Sequence, residues 1–271
     1  MKSKTGIFAI VVMIILAVSC GQESKSPYMN ILFLHHSTGR VIWNGDDHSL
    51  KQLFKEFNKE NDTNYAIREV EFPKSSPYGW KNYPFDYYNI WVKNAGDEPY
   101  EEEPTLEMLT KDYQVIMFKH CFPVSNIQAA LDSPDINSDI RTLSNYKLQY
   151  LALRDKLHEF PDTKFILWTG AALVEAATSE DKAMRAKEFF GWVTDQWDLP
   201  GDNIYLWDLY SLQTEGDFYL KDEYAVSPQD SHPNEEFAGR VVPLLFNRII
   251  DVIEKDGYGT KLNGKEITSI N

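Results

Sequence analysis

Four short runs of nearly unbroken apolar residues, at 30–34, 115–118, 165–168 and 204–207, and a further strand-like segment at 66–72, alternate with longer stretches of helical period. A strand that is apolar on both sides must be covered on both faces, which implies a parallel sheet between two layers of helices. The stretches between the runs supply those layers. Leu50, Leu53, Phe54 and Phe57 fall on one helical face, and Tyr146, Tyr150, Leu153 and Leu157 on another that Pro161 ends. Ala183, Ala186, Phe190, Val193 and Trp197 follow Thr178 and Asp181, spaced as in a capping box. Val241, Leu245, Ile249 and Val252 mark a last helix, expected to bend at Pro243. The pattern predicts one α/β domain over 30–256, with 257–271 as a polar tail.

The first residues read as an address. Lys2 and Lys4 precede an apolar run at 7–18, then come Ser19 and Cys20. The run is shorter than the roughly 20 residues a spanning helix needs, so residues 1–19 are expected to be a cleaved signal peptide. Leu16, Ala17, Val18, Ser19 and Cys20 resemble the lipobox of bacterial lipoproteins, which implies lipidation of Cys20 and a location in the cell envelope on a bacterial membrane. Residues 20–29 would be the tether. Acidic side chains outnumber basic ones 41 to 27, for a net charge of −14, so acyl chains rather than charge would hold the chain to a membrane. The same charge argues against a nucleic-acid partner. Only two cysteines occur; with Cys20 lipidated, Cys121 has no disulfide partner.

In a doubly wound sheet, ligands sit beyond the carboxyl ends of the strands. His35, His36, Ser37, Thr38 and Gly39 follow the first run, and Lys119, His120 and Cys121 follow the third. Asp230, Ser231, His232, Pro233 and Asn234 precede the last helix. A serine hydroxyl becomes nucleophilic when a base takes its proton and a carboxylate orients that base, and Ser37, His232 and Asp230 could supply the three parts.

With these residues the chain resembles the SGNH, or GDSL-type, serine hydrolases, over about 31–253. That family opens with a strand running into Gly-Asp-Ser and closes with Asp-x-x-His-Pro. The resemblance implies a three-layer α/β/α, flavodoxin-like fold with a five-stranded parallel sheet. It also implies an esterase, acetylesterase or related acyl-transfer activity that needs no cofactor, often on glycans or lipids. The pattern is departed from in three places. His35 and His36 replace Gly-Asp, the aspartate stands two rather than three residues before the histidine, and Lys119 and Cys121 occupy the third block's Gly and Asn positions. The resemblance makes Gly79, and either Asn126 or His120, the oxyanion donors beside the Ser37 amide.

Between Phe72 and Trp91 lie Tyr78, Trp80, Tyr83, Phe85, Tyr87 and Tyr88. Rings at a site rim suit sugar faces, which makes Tyr78 and Trp80, with His36, candidate substrate contacts. An acylated envelope or dietary carbohydrate, or another small ester, is therefore the expected substrate. Two rival readings are a glycan-binding lipoprotein without turnover, and a metal-dependent hydrolase using His35 or His36 with His120 and His232. Asp135, Asn137 and Asp139 begin like a calcium loop, but Ile140 stands where that loop needs glycine.

Overall fold

The computed structural model describes residues 28–81, 83–130 and 133–267; the expected signal peptide, Cys20 and most of the expected tether lie outside them. The chain runs β1 (Tyr28–His35), α1 (Ser37–Asn44), α2 (Leu50–Asn61), β2 (Asn64–Glu71), α3 (Pro84–Tyr87), α4 (Leu106–Leu109), β3 (Val115–Phe118) and α5 (Leu143–His158). It continues through β4 (Lys164–Trp168), α6 (Glu180–Trp192), β5 (Ile204–Trp207), α7 (Leu209–Thr214), β6 (Ala225–Ser227), β7 (Asp230–Pro233) and α8 (Glu235–Lys255).

The five long strands form one parallel sheet in the order β2-β1-β3-β4-β5. This is the flavodoxin-like arrangement, whose direction of winding reverses between β1 and β3. Side chains alternate across the sheet as strand geometry requires. Ile31, Phe33, Val115, Met117 and Ile166 pack on one face against Ile42, Phe54, Val241 and Leu245 of α1, α2 and α8. Leu32, Leu34, Ile116, Phe118 and Leu167 pack on the other against Tyr146, Tyr150 and Phe189 of α5 and α6. The expected α/β class and strand count are present, and β1, β3, β4 and β5 are covered on both faces, whereas the edge strand β2 leaves one side exposed.

Local detail departs from the sequence expectation in three places. Ser179, not Thr178, precedes α6, and the Thr178 hydroxyl is buried without a partner, so no capping box forms. A short antiparallel hairpin, β6 with β7, which the pattern does not predict, precedes α8, whose span includes Pro243. Residues 257–267 are not a loose tail. Leu262 O accepts a hydrogen bond from Asp208 N at 2.9 Å, and buried Arg248 donates to Gly257 O at 2.9 Å. Among the described residues no helix is long and apolar enough to cross a membrane.

Candidate active site

The topological switch point puts the ends of β1 and β3 side by side, and Ser37 and Cys121 follow those two ends. His36 is extended, and Ser37 begins α1, so the chain turns from strand to helix at the hydroxyl. Gly39 makes this turn possible, because a Cβ there would lie 2.5 Å from His35 Cβ. Ser37 is exposed while Thr38 beside it is fully buried. Ser37 Oγ lies 3.3 Å from Cys121 Sγ.

Asp230 and His232 are two apart on β7 and therefore share a side. Asp230 Oδ1 is 2.6 Å from His232 Nδ1 and also accepts the His232 amide at 3.0 Å. These two donors hold the Asp230 carboxyl below its ordinary range, so it is anionic at neutral pH. Ser231, between them, points the other way and accepts from Val174 N at 3.1 Å. The shortened Asp-x-His spacing thus suffices because the segment is a strand.

The two halves meet over one dipeptide. Cys121 touches Ser37, and Phe122 stands edge-on to the His232 ring with centroids 5.0 Å apart. Helix α1 also packs against β7. Among the described residues no hydrogen bond joins Ser37 to His232; the serine hydroxyl rests on the sulfur instead. Apo catalytic hydrogen bonds are often long and tighten when substrate binds.

Asn234 fixes where His232 sits. Its Oδ1 accepts from Phe237 N at 2.8 Å, capping α8, and its Nδ2 donates to Glu223 O and Ala225 O at 2.9 and 3.2 Å. Asn234→Ala is expected to lower stability by about 1–2 kcal/mol, read by urea unfolding. An unchanged midpoint would contradict a structural role for the cap.

The remaining candidates divide. Trp80 stacks on His36 with centroids 4.3 Å apart, so the loop carrying Gly79 and Trp80 arches over the start of α1. Gly79 is exposed with φ +77, a backbone conformation that side-chain-bearing residues rarely adopt. Burial, with the Lys119 charge, pulls the His36 imidazole down to about 4, so it is neutral at physiological pH. Burial, with the Lys119 charge, also lowers His35, to about 3, and its Nε2 lies 2.7 Å from Glu69 Oε2.

Tyr78 departs from its expected role. Its hydroxyl donates to Asp86 at 3.2 Å and accepts from Asn89 at 3.3 Å, so it braces the loop rather than offering a rim. His120 is likewise corrected. It is buried in the α5 layer, with Nε2 2.8 Å from Tyr150 Oη and its ring edge-on to Tyr87, on the side of the sheet away from Ser37. β3 alternation carries the signal, since Ile116 and Phe118 face that layer and His120 has their parity. Asn126 ends a short 3-10 turn, Phe122–Ser125, with its Oδ1 buried and unpartnered. Because His120 faces away, the three imidazoles proposed for a metal do not assemble. Among the described residues no three His, Cys, Asp or Glu side chains converge to hold an ion.

No protein-family model matches the chain, and no curated protein does. Among solved structures, an acetyl xylan esterase aligns with a TM-score of 0.44 at 14% identity, covering 79% of this chain and 96% of that one. A family two carbohydrate esterase from Cellvibrio japonicus aligns with a TM-score of 0.43 at 16% identity, covering 84% of this chain and 63% of its own. A GDSL-like lipase from Bacteroides thetaiotaomicron gives 0.41 at 12% identity, covering 84% and 88% respectively.

Proposed function

We propose that this chain is a serine esterase of the SGNH type that removes acyl groups, above all acetyl, from carbohydrate in the cell envelope or diet. In this reading it is held to a bacterial membrane through lipidated Cys20. The observation that carries the reading is the 2.6 Å Asp230–His232 bond beside the dipeptide that also holds Ser37. Ser37 Oγ attacks the acyl carbon and His232 Nε2 takes its proton. Asp230 keeps the ring in the right tautomer and steadies the imidazolium. Negative charge then develops on the acyl oxygen at the start of α1, where the Ser37 amide has no intrahelical partner. The Gly79 amide and the Asn126 side chain are the further donors. His232 returns the proton to the leaving sugar oxygen, and water repeats the sequence on the acyl-enzyme. Trp80, stacked on His36, which is buried beneath it and so is not itself a substrate contact, supplies a flat apolar face for a sugar ring beside the reacting bond.

The serine hydroxyl resting on Cys121 favours a second reading, a glycan-binding lipoprotein without turnover. Acetate release from acetylated oligosaccharides, followed by NMR, separates the two. Catalytic release supports the esterase; saturable glycan binding with no acetate released selects the binder.

A further inference from the structure

We propose that the cleft at the amino ends of β4 and β5 is a second saccharide-binding site, which holds a neutral stretch of glycan without reacting with it. The site needs no ester cleavage, so it stands or falls apart from the esterase reading.

Ser37 lies beyond the carboxyl end of β1, where a doubly wound sheet binds its ligands. The opposite end of the sheet carries a cleft of about 710 Å³, within the roughly 300–1,000 Å³ of small-molecule sites. It is lined by the segment entering β5, by the ends of α5 and α8, and by Lys164 at the start of β4.

Most of the charge in this cleft is already matched. His158 Nε2 lies 2.8 Å from Asp202 Oδ2, and Lys164 Nζ pairs with Asp256 Oδ1. Two groups are left over. Arg248 is 4% exposed; its Nε donates to Leu206 O and its Nη1 to Gly257 O, both at 2.9 Å, whereas its Nη2 makes no hydrogen bond among the described residues. Asp198 is half-buried, and among the described residues no hydrogen bond or ion pair reaches its carboxyl oxygens. Burial, with the Asp202 charge, raises that carboxyl to about 7, so near neutral pH it can donate as an acid or accept as a carboxylate.

An unpartnered guanidinium nitrogen and an unpartnered carboxyl in one cleft select the ligand. An anion would meet Asp198 and a chain of net charge −14, and a cation would meet Arg248. A neutral polyol satisfies both, because each hydroxyl donates and accepts. The lining also includes the Tyr258 ring, 74% exposed, and Leu199, 42% exposed. Such an exposed ring beside polar groups offers a flat face for a sugar.

Calorimetric titration of the protein with neutral oligosaccharides of the xylose, glucose, mannose and galactose series tests this. At least one series should bind, and Tyr258→Ala and Asp198→Ala should each weaken it by about tenfold or more. Neither side chain makes a hydrogen bond among the described residues, so both variants should keep the parent's thermal midpoint. Trp80→Ala, at the candidate active site, should leave the Tyr258-dependent binding unchanged. Failure of every series to bind overturns the proposal, as does binding that is lost in Trp80→Ala and kept in both cleft variants. Binding that depends on Tyr258 and Asp198, with no acetate released from acetylated oligosaccharides, removes the esterase reading and leaves the cleft standing.

Discussion

Ser37→Ala is expected to lower kcat for aryl acetates by on the order of 10⁴ or more while leaving the thermal midpoint within about 2 °C of the parent. Removing the attacking oxygen eliminates the covalent route, and what persists comes from oxyanion stabilisation and binding alone. Stability should hardly change, because Ser37 is exposed at the first position of α1 and its hydroxyl caps nothing. His232→Ala should cost a similar factor, and the Ser37→Ala, His232→Ala double variant little more than either, since the two act as a unit. Asp230→Asn should keep the fold and still reduce kcat steeply, because the amide no longer steadies the imidazolium. Rates in Ser37→Ala near the parent value would leave hydrolysis without its nucleophile.

The second large effect is on acid stability. His120 is fully buried, has only the Tyr150 hydroxyl on its Nε2, and is pushed by burial and the Lys119 charge to about 3. A histidine with a depressed folded-state pKa is neutral in the fold below pH 6.5, while the unfolded chain binds its proton. Stability from this site is therefore fully present above about pH 6.5 and lost as pH falls, down to about 3. The loss is about 1.4 kcal/mol per pH unit, or about 2.7 kcal/mol by pH 4.5. His36, held near 4, adds loss of the same sign, whereas Asp198, raised to about 7 by burial and Asp202, acts oppositely. The clean measurement is a difference between two proteins. Urea unfolding of parent and His120→Gln at pH 7 and pH 4.5 should show the parent losing about 2.7 kcal/mol more than the variant. Equal losses would mean that His120 takes up its proton without unfolding.

Much of this architecture was legible beforehand because buried parallel strands leave a strong mark. The four apolar runs coincide with β1, β3, β4 and β5 and the strand-like 66–72 segment overlaps the edge strand β2, and the helical faces marked by Leu50, Tyr146 and Val241 lie where the layers cover the sheet. The Asp230–His232 pairing could be read only as a spacing, since whether two residues apart means one side depends on the segment being extended. What stayed hidden was tertiary. Ser37 beginning a helix, rather than standing in a turn, follows from Gly39 fitting against His35. The aromatic segment gave composition but not direction, so Tyr78 and Trp80 looked alike until Asp86 and Asn89 were seen to hold the tyrosine and His36 the tryptophan. The polar composition after Asp256 concealed that its backbone, through Gly257 and Leu262, is bound to Arg248 and Asp208.

Mass spectrometry of the protein after treatment with a fluorophosphonate tests the esterase assignment most directly. One phosphonyl adduct on Ser37, absent from Ser37→Ala and formed far more slowly in His232→Ala, is the expected outcome. An unmodified Ser37 in a folded protein that still releases acetate would contradict it.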